Sequence, residues 1–392
     1  MRSLTVLTLL ASLALPLSAA EPINVPTNVR ALAALVAASN REPDARLARR
    51  LYAMKLTDRL STARLAGLQA QLPGEESRKA LLALADSSAF LNLPPEDIPT
   101  TAPLDPTAQK ELLDKSVDYV RKQIPLWPDF MATQNEVQFS DVPAKPPRHT
   151  ENKPYDETLH VAYQSSATVR FLGGKEELAP NLAPGPAPIP VRGNAAKPAG
   201  ATLSVQGVFG PIFTVVLKDL PLSHPSFSHW ETGVAGPIAV FAYHATRDKS
   251  HYVVQDSEGQ GILEPFAAYH GEIGLDPDTG AILRLTLIAE PRPNSPVARA
   301  DILIEYAPQK LGPKSYICPV KSVAISLARD VIPMEALYTY PVSALPPFKL
   351  ELNDTAYSEY HLFRTEMRIV PPNTPAATPA DGATPRQAHP QR

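Results

Sequence analysis

The chain has 392 residues, 37 Lys+Arg against 40 Asp+Glu, a net charge of −3, 44% hydrophobic residues, 44 prolines and one cysteine. A near-neutral balance lacks the electrostatic footprint of a protein that binds nucleic acid or anionic lipid, and one cysteine excludes an intrachain disulfide, so stability has to come from a packed core. Proline at about twice its ~5% average forecasts short, interrupted elements.

The first residues read as an export signal. Met1-Arg2 gives a positive start, Leu4 to Leu17 is an apolar run, and Ser18-Ala19-Ala20 supplies small residues at a cleavage position. The run is shorter than the ~20 apolar residues that span a bilayer. Residues 1–20 are therefore expected to be cleaved, leaving a soluble exported chain, periplasmic or extracellular, without a transmembrane segment. The cleavage site has no cysteine beside it that could carry a lipid.

Residues 21–150 read as a helical region. Leu56, Leu60, Leu68 and Leu72 recur at helical spacing before Pro73-Gly74, and Ser77 to Leu91 forms a further helix closed by Pro94-Pro95. Asp105-Pro106 has the character of an N-cap and first helical residue, after which Leu113, Val117, Val120 and Ile124 make one apolar stripe. Arg41, Arg46, Arg49, Arg50, Lys55, Arg59 and Arg64, interleaved with Glu42, Asp44 and Asp58, read as a solvated helix face.

Residues 151–370 switch to a period of two. Ile238, Val240 and Ala242 alternate with Ala239, Phe241 and Tyr243, and Leu283, Leu285 and Leu287 with Arg284, Thr286 and Ile288. The same alternation recurs over Asp301–Tyr306 and from Leu362 to Ile369. Asp276-Pro277-Asp278-Thr279-Gly280 and Lys310-Leu311-Gly312-Pro313 are turns between strands. Strands joined this way, with one wet face each, make an antiparallel meander; Arg284 is expected to face water. The Pro-rich stretch 179–200 is an insertion or linker, and residues 371–392, rich in Pro, Ala and Thr, form a disordered tail.

Motifs that carry chemistry are weak. His224, His229, His244 and His251 cluster in sequence, but Pro225 breaks any helix and neither an HExxH nor a paired-cysteine spacing supports a metal. Counted as an EF-hand from Asp276, position 5 is Gly280, position 6 Ala281 and position 12 Leu287, so the calcium pattern fails and a hairpin turn remains. No Gly-x-Ser-x-Gly elbow occurs. Cys318, between Ile317 and Pro319, has the setting of a buried small hydrophobe. Gly173-Gly174-Lys175 and Gly259-Gln260-Gly261 are turn glycines without a following P-loop helix. Neither a catalytic residue, nor a metal ligand, nor a cofactor is assigned.

Two stretches carry a family resemblance: Tyr269-His270-Gly271-Glu272 running to Asp276–Leu285, and Ile304-Glu305-Tyr306-Ala307-Pro308 running into Gly312–Val320. With Leu65–Gly74, Ala80–Asp86 and Phe90-Leu91, they resemble a large set of uncharacterised exported bacterial proteins over most of the mature chain. Those relatives carry Gly-Glu-Phe-Gly where this chain has Gly207-Val208-Phe209-Gly210, so no role for a carboxylate there transfers. The strand rhythm also resembles, more loosely, the half-barrel of periplasmic lipoprotein carriers and of sigma-factor-regulator sensor domains. That likeness implies an antiparallel sheet wrapped over helices, with an apolar concavity and no catalytic residue.

The expectation is an α+β protein, a helical region followed by a curved, half-barrel-like antiparallel sheet. Its function is expected to be non-enzymatic binding in the cell envelope, of an apolar ligand or a protein partner. Leu283, Leu285 and Leu287 are expected to line the ligand site with the aromatics Tyr306 and Phe363. The alternatives are an envelope hydrolase with an unrecognised His/acid site and a purely structural envelope component.

Overall fold

A computed structural model of the chain describes residues 25–39, 41–143, 158–179, 215–216, 218–234, 236–255, 262–329 and 347–363. The signal sequence, most of the Pro-rich stretch 179–200 and the tail 371–392 lie outside the described residues.

The chain opens with β1 (Val25–Thr27), α1 (Val29–Ala38), α2 (Asp44–Tyr52), β2 (Met54–Leu56), α3 (Thr62–Gln69) and α4 (Glu75–Ser87). β1 and β2 pair in parallel. Asn28 and Ser61 cap α1 and α3, their side chains accepting from Ala31 N and Arg64 N. α4 borrows its cap from α2: the Asp44 carboxylate accepts from Glu76 N and Ser77 N at 3.0 Å each. These helices bury a core of their own, built from Leu32, Leu47, Leu51, Leu68 and Leu81 among others. Leu56 and Leu60, expected inside one helix with Leu68, instead lie in β2 and in the segment before α3. Their spacing comes from burial in this core, which a strand and loop satisfy as well as a helix.

The later elements are α5 (Pro106–Gln123), β3 (Phe130–Ser140), β4 (His160–Leu172), β5 (Lys175–Ala179), β6 (Ser226–Thr232), β7 (Pro237–Ala245), β8 (Val254–Gln255), β9 (Ile262–Glu264), β10 (Ala268–Leu275), β11 (Ile282–Glu290), β12 (Val297–Leu311), β13 (Lys314–Ala328) and β14 (Lys349–Leu362). Ten of these strands form one open antiparallel sheet in the order β5-β4-β3-β14-β13-β12-β11-β10-β7-β6. The α+β class and the antiparallel sheet are thus as expected. Sheet residues begin at β3, upstream of residue 151, and β14 ends at Leu362. Past Phe363 the expected terminal strand lies outside the described residues.

Helices cover both faces of the sheet. Ile302 and Ile304 of β12 join an apolar layer on one face, which includes Leu112 of α5. Leu303, between them, joins a second layer on the other face with Ala83 and Ala89 at the end of α4. Period-two alternation thus serves two buried sides here, rather than one dry and one wet. Bulges interrupt several ladders, among them β6–β7 at Phe227/His229 and β10–β11 at Gly274/Leu275; each adds local bend and twist.

Candidate functional site

On the α5 face, Leu285, Leu287 and Tyr306 come together in one apolar layer with Ile273, Ile304, Tyr357 and Tyr360. Leu285 is 2% exposed and Leu287 1%. Leu283 is not in this layer. In the β10–β11 ladder Leu275 pairs with Ile282 and Gly274 with Arg284, so Leu283 is the bulge residue. The bulge shifts the parity of the strand, and Ile282 takes the place in the layer that alternation assigns to Leu283. Phe363 follows β14, half-buried, with its N–H donating to the Asp129 carbonyl at 2.9 Å. Leu362 is the neighbour packed against the layer.

α5 lies across this layer with little of itself buried. Of its eighteen residues only Leu112 and Ser116 are buried, while Leu113 and Val120 pack against the layer half-covered. The buried stripe is turned by one residue from the expected Leu113–Val117 line, because Ser116 sits beneath the β10–β11 turn. Polar contacts hold the helix at its margins. The Asp105 carboxylate accepts from Thr107 N and Ala108 N at 2.9 Å. Gln109 Oε1 accepts from Phe227 N at 3.3 Å, and Lys115 Nζ donates to the Asp278 carbonyl at 3.1 Å. Gly280, at φ +73, closes the turn, and a Cβ there would stand 2.8 Å from the Lys115 carbonyl carbon. Both the left-handed backbone and the close approach require glycine. Cys318 is buried in the same layer, and burial pushes its thiol up to about 12.

The opposite face carries buried charge. Arg284, expected in water, is 8% exposed. Its guanidinium donates to the Ala89 carbonyl at 2.9 Å and stands 3.3 Å from Glu272 and 3.5 Å from Glu231. Arg59, expected on a solvated face, is buried as well, in an ion pair with Glu231 and 3.9 Å from Glu272. Alternation places Arg284 on the correct face; the arrival of the α1–α4 helices turns that face into an interior. Two guanidinium groups and two carboxylates balance there, as buried charge requires. Burial alone would raise the Glu231 carboxyl, but a hydrogen bond from His229 and the charges of Arg284 and Arg59 outweigh it and bring it down to about 2. Farther along the same face Lys321 Nζ lies 2.6 Å from Asp86 and 2.8 Å from Asp354. Burial holds Asp86 well above the usual carboxylate range against the pull of Lys321, and Asp354 adds to the rise.

The histidines do not converge on one point. His251 Nδ1 lies 2.5 Å from the buried Asp219, which also accepts from the Tyr269 hydroxyl at 2.8 Å. His244 and His270 face each other across β7 and β10, and both approach Glu290, at 3.5 and 2.7 Å. His229 stands apart on β6. Its Nδ1 is 2.9 Å from Ser228 Oγ and its Nε2 is 3.0 Å from Glu231 Oε1. Among the described residues no group of three or more His, Cys, Asp or Glu side chains is arranged to hold a metal ion. Sequence spacing alone did not single out Ser228, Glu231, Glu272 or Arg59. The one local signal was the Ser-His-x-Glu order at 228–231, which gains meaning only with the bulge and the helices in place.

No family model matches the chain, and no curated protein sequence matches it. Among solved structures it is similar to a LolA-superfamily protein from Nitrosomonas europaea, at 10% identity and a TM-score of 0.25, over 66% of this chain and 94% of that one. A chain of the MucA/MucB complex from Pseudomonas aeruginosa is similar at 10% identity and a TM-score of 0.21, over 64% of this chain and 94% of that one. No helix among the described residues is long and apolar enough to cross a membrane.

Proposed function

We propose that the chain is an exported binding protein of the cell envelope, which takes an apolar ligand or the apolar segment of a partner onto the α5 face of its sheet. The observation that carries this reading is the mismatch between that face and its cover. A continuous layer of aliphatic and aromatic side chains, Leu285, Leu287 and Tyr306 included, lies under a helix that buries only Leu112 and Ser116. An amphipathic helix owes most of its stability to the face it buries, so one that buries so little separates from the sheet at small cost. Its displacement exposes apolar surface large enough to bind a lipid chain or a hydrophobic peptide. Export rests on the Met1–Ala20 sequence, and the ligand site on Leu285, Leu287 and Tyr306, with Leu283 and Phe363 at its margins.

Lys115 donates across the contact to the Asp278 carbonyl, and the sole cysteine, Cys318, is buried. A Lys115→Cys/Asp278→Cys pair therefore lets a reducible thiol-reactive cross-linker span the reach of the lysine side chain and tie α5 to the β10–β11 turn. Titration with a fluorescent fatty acid should show uptake by the protein without the cross-link and little by the cross-linked one, with recovery on reduction. Equal uptake in both states removes α5 as the cover, and no uptake by reduced or unmodified protein removes the apolar-ligand reading.

A further inference from the structure

We propose that Ser228, His229 and Glu231 form an acyl-transfer site at the outer edge of the sheet, with the serine as nucleophile, the histidine as its base and the glutamate orienting the ring. This activity goes beyond the binding proposed above and lies on the other side of the sheet.

In a regular strand Ser228 and His229 would point to opposite faces. The β6–β7 register runs from Phe227↔Phe241 directly to His229↔Val240, so Ser228 is the extra residue of a bulge. A bulge turns consecutive side chains toward one side, and the hydroxyl comes to 2.9 Å from His229 Nδ1. Two residues on, Glu231 returns to the same face, and its Oε1 lies 3.0 Å from Nε2. Each ring nitrogen is thereby given a role: the carboxylate takes the Nε2–H, which leaves Nδ1 as the acceptor for the serine proton.

The partners of Glu231 fix it in that role. Arg59 reaches it from the segment before α3 and Arg284 from β11, so the carboxylate is held from two elements beside the one that bears it. Since its carboxyl lies near 2, it stays an anion at working pH, orienting and stabilising an imidazolium without accepting the proton. Ser228 is exposed and β6 is the last strand of the sheet, so an ester can reach the hydroxyl from solvent. His224, close upstream, has φ +46, a conformation in which non-glycine residues are uncommon and which is enriched near functional sites.

The step balances with ester and water alone. Ser228 Oγ bonds to the ester carbonyl carbon while its proton moves to His229 Nδ1. The bond from that carbon to the alcohol oxygen then breaks, and the alcohol leaves with the proton from Nδ1. Water attacks the acyl-serine, gives a proton to Nδ1, and release of the carboxylic acid returns that proton to Oγ. Substrates are esters whose acyl group needs no deep pocket.

The test treats the full chain with a fluorophosphonate probe and with p-nitrophenyl acetate. The expected result is covalent labelling at Ser228, loss of labelling and of hydrolysis in Ser228→Ala, and at least a hundredfold slower labelling in His229→Ala. Ser228→Cys supplies a measurement that needs no ester turnover: iodoacetamide should alkylate it at least tenfold faster than Ser228→Cys/His229→Ala at pH 7. Wild-type protein that stays unlabelled, labelling that survives Ser228→Ala, or equal alkylation of the two thiol variants overturns the proposal. The cross-link of the Lys115→Cys/Asp278→Cys pair should leave labelling unchanged, which separates this site from the apolar face.

Discussion

Leu285 and Arg284 are neighbours on β11 with opposite surroundings, and both are buried. Leu285 fills part of the apolar layer under α5. Its truncation removes transfer energy and leaves a cavity, so Leu285→Ala should lower unfolding free energy by ~2–5 kcal/mol in a denaturant titration. A loss under ~1 kcal/mol would mean that the layer is already partly open without ligand. Arg284 shows the same logic with charge. Its aliphatic stem and guanidinium cross the sheet–helix boundary to reach Ala89, Glu272 and Glu231. Such a group is tolerated inside because every charge around it has a partner of the opposite sign.

At the scale of elements, α5 and the β10–β11 turn depend on one another. The turn is stabilised locally, with Asp276 Oδ1 accepting from Asp278 N and Thr279 N at 2.8 and 2.9 Å. Its last residue then meets the α5 backbone. Gly280→Ala adds a methyl group where φ is +73 and only 2.8 Å separates the new Cβ from the Lys115 carbonyl carbon. The substitution should cost about 1–3 kcal/mol from backbone strain and should push α5 outward. Hydrogen exchange would show the amides around Lys115 and Ser116 losing protection while those of β11 and β12 keep it. Equal loss everywhere would place α5 in the same cooperative unit as the sheet.

For the whole molecule, the α1–α4 helices meet the sheet through an apolar patch flanked by buried charge, and acid should weaken that junction. The Glu231 carboxyl is near 2 in the folded chain and about 4.3 in an unfolded one. A depressed folded value contributes stability in full above the unfolded value and loses it as pH falls toward the folded one. The contribution, roughly 3 kcal/mol, should therefore disappear between about pH 4.3 and pH 2. Denaturant unfolding of wild type and Glu231→Gln across this range would isolate it: the difference between the two should shrink as pH falls. Asp86, held high by burial, works in the opposite direction in both proteins and so cancels in the comparison. A difference that stays constant with pH would show that Glu231 is not the titrating group.

What the sequence determined by itself is what local chemistry determines. Asp105-Pro106 started α5, Asp276–Gly280 made a turn, and the alternation of Leu285 with Arg284 put those two side chains on opposite faces, because caps, turns and strand parity are settled within a few residues. The tertiary structure alone decided what each face meets. Leu283 left the apolar layer because a bulge depends on the pairing strand, β10. Arg284 became interior because helices from the other end of the chain covered its face, and Arg59 because the same docking buries it against Glu231 and Glu272 of the sheet. Leu56 and Leu60 shared a core with Leu68 without sharing a helix, since burial requires proximity and not a common element. Ser228, His229 and Glu231 met for the same reason: the bulge needs β7 beside it, and the glutamate needs Arg59, 172 residues away in sequence, to hold its charge in the interior.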